Sequence, residues 1–103
     1  MKKTKDVKTI AEAFAEFLKT YHCGEANAIK AVDINKRFPL TPRQIREVVN
    51  RLRCEGVPIC SGSMGYYYAS NSTELARTKK YIVAQANAML AAANAMSTEE
   101  LSC

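Results

Sequence analysis

Thr41-Pro42-Arg43-Gln44 constrains the fold of this chain more than any other segment, because it carries two independent start signals for a helix. The Thr41 hydroxyl is placed to accept from the Gln44 amide while the Gln44 side chain reaches back, and Pro42 falls at the first helical position, where its missing N–H costs nothing. Beyond it, Ile45, Val48, Val49 and Leu52 form one apolar stripe. On a period of 3.6 this stripe turns Arg43, Glu47, Asn50 and Cys54 outward and leaves Arg46, Arg51 and Arg53 on the flanks. Gly56 stops the helix, and Val57-Pro58 breaks to extended backbone. Ile59-Cys60-Ser61 and Tyr66-Tyr67-Tyr68 then pair around Gly62-Ser63-Met64-Gly65, whose two glycines supply the positive φ angles of a hairpin turn. Strand side chains alternate, so Tyr66 and Tyr68 share one face and Tyr67 takes the other. One face is expected to pack and the other to be open to a partner.

The flanking segments are helical. Val7, Ile10, Ala11, Phe14, Phe17, Leu18 and Tyr21 recur at steps of three and four, the inward face of a helix over about 6–21. Gly24 suits the left-handed turn after it. A shorter helix follows from about Ala31 to Phe38, with Val32, Ile34 and Phe38 as its buried side chains, and Pro39 closes it. Leu40 is the apolar residue of the turn into the next helix. Asn71, with Glu74 three residues on, starts the last and longest helix, to about Met96. Leu75, Ile82, Met89 and Met96 recur every seven residues, and Ala86-Asn87-Ala88-Met89 returns as Ala93-Asn94-Ala95-Met96. Such a repeat favours close packing against another helix. The part beyond Ala84 exceeds what so small a core needs, so it is expected to pair with a second copy through Ile82, Met89, Leu90, Ala93 and Met96. The expectation is a mainly α chain with a small β-hairpin. Residues 1–71 form the domain, 72–96 the helix for core packing and dimerisation, and 97–103 a flexible tail.

The 103 residues suffice for one small core and no second domain. The formal net charge is +5, and its distribution is uneven. Between Lys36 and Glu55 six basic residues meet two acidic ones, a local excess of four, while residues 57–71 carry no Lys, Arg, Asp or Glu. The excess sits where a phosphate-facing surface would place it. Cys23, Cys54, Cys60 and Cys103 contain no C-x-x-C pair and have only His22 to join them, so neither a metal site nor any other cofactor is expected. Cys54 and Cys60 could be bridged, but the Lys-rich start leads into an amphipathic segment and not a secretory signal, which favours free thiols and a cytoplasmic location. No apolar run approaches membrane-spanning length.

Leu40-Thr41-Pro42-Arg43-Gln44-Ile45-Arg46, then Arg53-Cys54-Glu55-Gly56-Val57-Pro58-Ile59-Cys60 and Gly65-Tyr66-Tyr67-Tyr68-Ala69, resemble a group of small winged helix-turn-helix DNA-binding proteins of bacteria and their phages. That group shares an arginine-rich helix, an E-G-x-P-I turn, an S-x-G-Y-Y wing and a long trailing helix. The resemblance covers roughly residues 26 to 96. It implies a winged helix-turn-helix plus a long C-terminal helix, and duplex DNA as partner. Together with the second copy expected along the last helix, the role expected is that of a dimeric transcriptional regulator of a phage or mobile element.

Residue chemistry fits that implication. Arginine reads guanine, and asparagine or glutamine reads adenine, through two-pronged hydrogen bonds in the major groove. Arg43, Gln44, Arg46 and Asn50 are the candidate readers. Lys36, Arg37, Arg51 and Arg53 are better placed for phosphates, with Thr41 and the helix N-terminus as further donors. Ser61 and Ser63 are the polar side chains that the wing offers to backbone or minor groove. Glu47, four residues from both Arg43 and Arg51, has an intrahelical ion pair as its plain role. Tyr66 and Tyr68 read as sheet core more than as a base-stacking platform. The wing departs from the resemblance in lacking a basic tip. That leaves a second class of function open: an interaction protein of phage type that inhibits a host protein or ribonucleoprotein machine through the basic helix or wing. A DNA-binding accessory with little sequence preference is a third. Catalysis is not expected, since His22-Cys23 is no dyad and there is no phosphate loop, HExxH motif or carboxylate pair.

Overall fold

The computed structural model describes residues 7–101. In chain order come α1 (Val7–Tyr21), a 3₁₀ turn (Glu25–Asn27), α2 (Ala31–Arg37), α3 (Pro42–Cys54), β1 (Ile59–Gly62), β2 (Gly65–Tyr68), α4 (Ser72–Ala95) and a second 3₁₀ turn (Thr98–Glu100). The fold is therefore mainly helical, with one small antiparallel hairpin and a long C-terminal helix.

The start and stop signals act as written. Thr41 and Gln44 form the reciprocal capping box, with Gln44 N–H donating to Thr41 Oγ1 at 3.2 Å and Thr41 N–H to Gln44 Oε1 at 2.9 Å. At the other end of α3 Gly56 takes φ +95°, and the N–H groups of Gly56 and Val57 donate back to the carbonyls of Arg53 and Leu52. That pair of bonds is the Schellman arrangement, which needs a residue of positive φ at this position. Asn71 Oδ1 accepts the Glu74 N–H at 2.8 Å and caps α4.

One core holds the domain. Ala11, Phe14 and Leu18 of α1 meet Ile34 of α2, Leu40 of the turn, Ile45, Val48, Val49 and Leu52 of α3, and Ile59 of β1. Phe38, half-buried, lies edge-on to Phe14 and Phe17 with ring centroids 5.6 and 5.3 Å apart. Two sequence expectations fail here. The apolar period places Val32 and Tyr21 inward, yet both are mostly exposed. In α2 only Ile34 is buried, since seven residues make two turns and can bury one ridge. Tyr21 ends α1, past the last turn that the core covers. The inward placement of Val7, the thiol of Cys103 and the end of the expected tail lie outside the described residues.

The hairpin pairs Ile59 with Tyr68, Cys60 with Tyr67, Ser61 with Tyr66 and Gly62 with Gly65, leaving Ser63 and Met64 as its turn. Gly65 has φ +118°, but Gly62 does not share a positive φ, so one glycine serves where two were expected. A side chain at Gly65 would collide with the Ile29 carbonyl. Ile29 and Tyr66 exchange N–H···O bonds at 2.9 and 2.8 Å, and Gly24 N–H and Tyr68 N–H add bonds to Tyr68 O and His22 O. The segment from His22 to Ile29 thus covers the outer edge of β2.

The expectation of an open hairpin face also fails. Tyr66 and Tyr68 pack against the core, while Cys60 and Tyr67 on the reverse face are fully buried. Cys60 Sγ lies 3.6 Å from the Glu74 carbonyl, so the cover on that face is the first half of α4. Cys60 is a free thiol, as are exposed Cys23 and Cys54.

Thr78 is the one buried residue of α4, with Glu74, Leu75 and Ile82 half-buried. From Val83 to Ala95 every residue is exposed, Met89 at 73% among them. The radius of gyration, 16.8 Å, exceeds the roughly 13 Å of a compact chain of this length because this half of α4 stands off the body. Where a frayed tail was expected, Ser97 Oγ accepts the Glu99 N–H at 3.0 Å and caps the last 3₁₀ turn.

Among the described residues no helix is long and apolar enough to cross a membrane.

Candidate functional site

α3 is the element with the sharpest division of faces. Ile45, Val48, Val49 and Leu52 are all buried, and Arg43, Arg46, Glu47 and Asn50 are all exposed. Thirteen residues make a rod about 20 Å long. The outward face can therefore be followed residue by residue.

Arg43 Nε lies 3.5 Å from Glu47 Oε2, and Arg51 Nε lies 3.4 Å from Glu55 Oε2. Glu47 takes the arginine on its N-terminal side, leaving Arg51 to Glu55. Lys36 is paired with Asp33 at 3.3 Å. All three are exposed pairs within one helix or its end, and pairs of this kind contribute about 0.3–0.5 kcal/mol each. Arg43, Arg51 and Lys36 can consequently exchange these carboxylates for another anion at little cost. Arg46 has no ion-pair partner among the described residues, so its charge is uncompensated on the outer face.

Two candidates prove to be engaged internally. Arg53, expected to meet phosphate, is half-buried: its Nε donates to Ile59 O at 2.8 Å and its Nη2 to Ser61 Oγ at 3.1 Å. Burial lowers the pKa of its guanidinium, which nevertheless stays charged. Arg53 and Ser61 are thus brought together as a brace between the last turn of α3 and the hairpin. Arg37 lies over the Phe17 ring at 5.3 Å, a cation–π contact that holds its stem against α1. Neither partnership has a signature in sequence spacing, because each joins elements through a turn or across the core.

Gln44 and Thr41 are exposed, but the Gln44 Oε1 and Thr41 Oγ1 atoms serve the capping box. Gln44 keeps its amide NH₂ for other acceptors. Ser63 and Met64 are exposed at the hairpin tip, and Ser61 is half-buried. The remaining open residues, Arg43, Arg46, Asn50 and Arg51, share the solvent side of one helix. They present forked donors and one amide, groups suited to planar acceptors such as base edges and phosphates.

A second feature lies on the far side of the hairpin. A cleft of about 240 Å³ opens between α4 and the turn that follows α3, lined by Val57, Ile59, Leu75 and Ile82 together with Arg53 and Lys79. The sequence showed Leu75 and Ile82 as members of the seven-residue repeat, but not that the turn at 57–59 stands opposite them. Among the described residues no cluster of His, Cys, Asp or Glu is arranged to hold a metal ion. Comparison with protein-family models, with curated proteins and with solved structures gave no match.

Proposed function

We propose that this chain is a winged helix-turn-helix protein that binds double-stranded DNA in a sequence-specific manner, with α3 in the major groove. One observation carries the reading: α3 buries its whole apolar stripe and leaves Arg43, Arg46, Asn50 and Arg51 in solvent on a single side. The order of elements supports it, since an α2–turn–α3 pair is followed at once by a hairpin whose second strand is also paired with Ile29. Arg43, Arg46 and Asn50 are the base readers, with Gln44 contributing its amide donors. Lys36, Arg51 and the α3 N-terminus at Thr41 meet phosphates. α4 joins two copies, so that two α3 helices address two half-sites. The role that accords with the resemblance is transcriptional regulation in a phage or mobile element, in the cytoplasm, without cofactor or catalysis.

Band shifts with random duplexes at two salt concentrations test this. Affinity should fall steeply with salt, because each phosphate contact releases counterions, and selection should enrich one motif. Arg46→Ala and Asn50→Ala should weaken that motif more than unrelated sequences, whereas Lys36→Ala should weaken all alike. No binding at low salt would overturn the proposal.

One observation favours a second reading. Met64 is 55% exposed at a hairpin tip whose surroundings, residues 57–71, carry no Lys, Arg, Asp or Glu. Such a tip suits a protein surface better than a phosphate backbone. On this reading the chain binds and inhibits a host protein or ribonucleoprotein machine, and Met64→Asp abolishes that binding while leaving any DNA affinity intact.

A further inference from the structure

We propose that the second copy lies antiparallel along α4, with Leu101 of each copy seated in the other's cleft between α4 and residues 57–59. This deepens the reading of α4 as the self-association element and rests on it. The projecting half of the helix, Val83–Ala95, is exposed throughout, and no charged residue occurs between Lys80 and Glu99. Nothing in that stretch opposes close approach of an identical helix, and its alanines permit it.

Charge decides the direction. A parallel pair places each residue beside its own copy, so Lys79 and Lys80 would face lysines and the acidic residues 99 and 100 would face acids. An antiparallel pair centred between Met89 and Leu90 brings the end of each helix, and the acidic turn that follows it, to the Lys79 and Lys80 end of the other, uniting unlike charges at both ends. The same centre brings Ala86 against Ala93 and Met89 against Leu90. The first Ala-Asn-Ala-Met word thereby meets Ala93, Ala92, Ala91 and Leu90, and these alanines let the two helices approach closely.

The same register gives the cleft its occupant. Thr78, buried beside the cleft, lies near the end of α4 that the other copy's tail would reach, and Leu101 on that tail is 79% exposed within one copy. From the centre to Thr78 is about 17 Å along the helix. The contour from the centre to Ala95, through extended Met96 and Ser97 and the 3₁₀ turn to Leu101, is about 22 Å, longer than that span, so the tail has the length to reach. Lys79 lines the cleft, next to where the acidic turn of the other copy would lie. An apolar plug beside an acidic turn fits an apolar cleft with a basic lining.

Disulfide trapping tests the direction in full-length chains carrying Cys23→Ser, Cys54→Ser and Cys103→Ser, with buried Cys60 retained. Mixing an Ala86→Cys chain with an Ala93→Cys chain should give the crossed dimer on mild oxidation, and either chain alone should not cross-link. Lys79→Glu with Lys80→Glu should raise the dimer dissociation constant at least about tenfold, and adding Glu99→Lys with Glu100→Lys should restore it. Leu101→Asp should weaken the dimer to a similar degree. Cross-linking of Ala86→Cys with itself, or a dimer without the crossed product, would overturn the antiparallel arrangement and leave self-association standing. A chain that sediments as a monomer at micromolar concentration would overturn both.

Discussion

Glu74 Oε2 accepts the backbone N–H of Glu25 at 3.0 Å, tying the first turn of α4 to the loop after α1 across 49 residues of chain. Its other oxygen accepts from Ser70 N–H and Ser70 Oγ, each at 2.9 Å, and Arg77 one turn on bonds Glu25 Oε1 at 3.0 Å. α4 buries only Thr78 fully, so this polar clasp, together with the half-buried Leu75 and Ile82, holds it over the hairpin.

The clasp makes stability depend on pH. The Glu25 and Ser70 amides stabilise the carboxylate and hold the Glu74 pKa below its ordinary 4.5. A depressed folded-state pKa contributes stability that is fully present above the unfolded value and is lost as pH falls through the folded one. Thermal melts from about pH 6 to about pH 3 should show a steeper acid loss in the wild-type chain than in Glu74→Gln. Equal slopes would mean that the clasp carries no net stabilisation.

Gly56 and Gly65 both hold positive φ, and they separate two costs. An alanine at Gly56 meets nothing within 4 Å, so Gly56→Ala should destabilise by the conformational term alone, about 1–2 kcal/mol. At Gly65 the added methyl also meets the Ile29 carbonyl, and the Ile29–Tyr66 bridge must part to admit it. Urea unfolding should rank Gly65→Ala well below Gly56→Ala. The reverse order would show that the β2 edge yields without cost.

The helices were legible in the sequence because their signals are local. The Thr41–Gln44 box, the Gly56 stop and the Asn71 cap each act within a few residues, and each stands where the sequence placed it. The four-residue stripe of α3 was legible for the same reason. What escaped depended on contacts distant in sequence. Tyr67 looked free because alternation assigns it a face without saying what covers that face, and the cover is a helix that begins after the hairpin ends. Arg53 looked like a phosphate contact because helical phase puts it on a flank, while its fate is set by the Ile59 carbonyl beyond a proline turn. Val32 and Tyr21 fit an apolar period yet lie where no second element reaches them.

Cutting the chain after Ala84 should separate folding from assembly. The residues removed from α4 are exposed in one copy, so the truncated chain should unfold with a midpoint close to that of the full chain at high dilution. On the proposal that α4 joins two copies, sedimentation should show a dimer for the full chain and a monomer for the truncated one. An unchanged assembly state would take the dimerisation role away from Met89, Leu90, Ala93 and Met96.

Arg46 and Arg53 both belong to α3, about two turns apart, yet their partners assign them opposite work. Arg46 is exposed with no ion pair among the described residues, so Arg46→Ala should leave stability within about 0.5 kcal/mol of wild type. On the proposed function, its loss should appear in DNA affinity, and more for the selected motif than for random duplexes. Arg53→Ala removes donors from Ile59 O and Ser61 Oγ, freeing the hairpin from the end of α3. Bonds with a charged donor contribute about 1.5–3 kcal/mol, less where water has partial access, so unfolding free energy should fall by about that much. If the chain binds DNA as proposed, affinity should then fall for all duplexes to the extent that the hairpin loses its position. Arg53→Lys restores the charge but not the fork that spans both acceptors, and should recover little of the stability. Full recovery by lysine would show that charge, and not the two-pronged brace, is what Arg53 supplies.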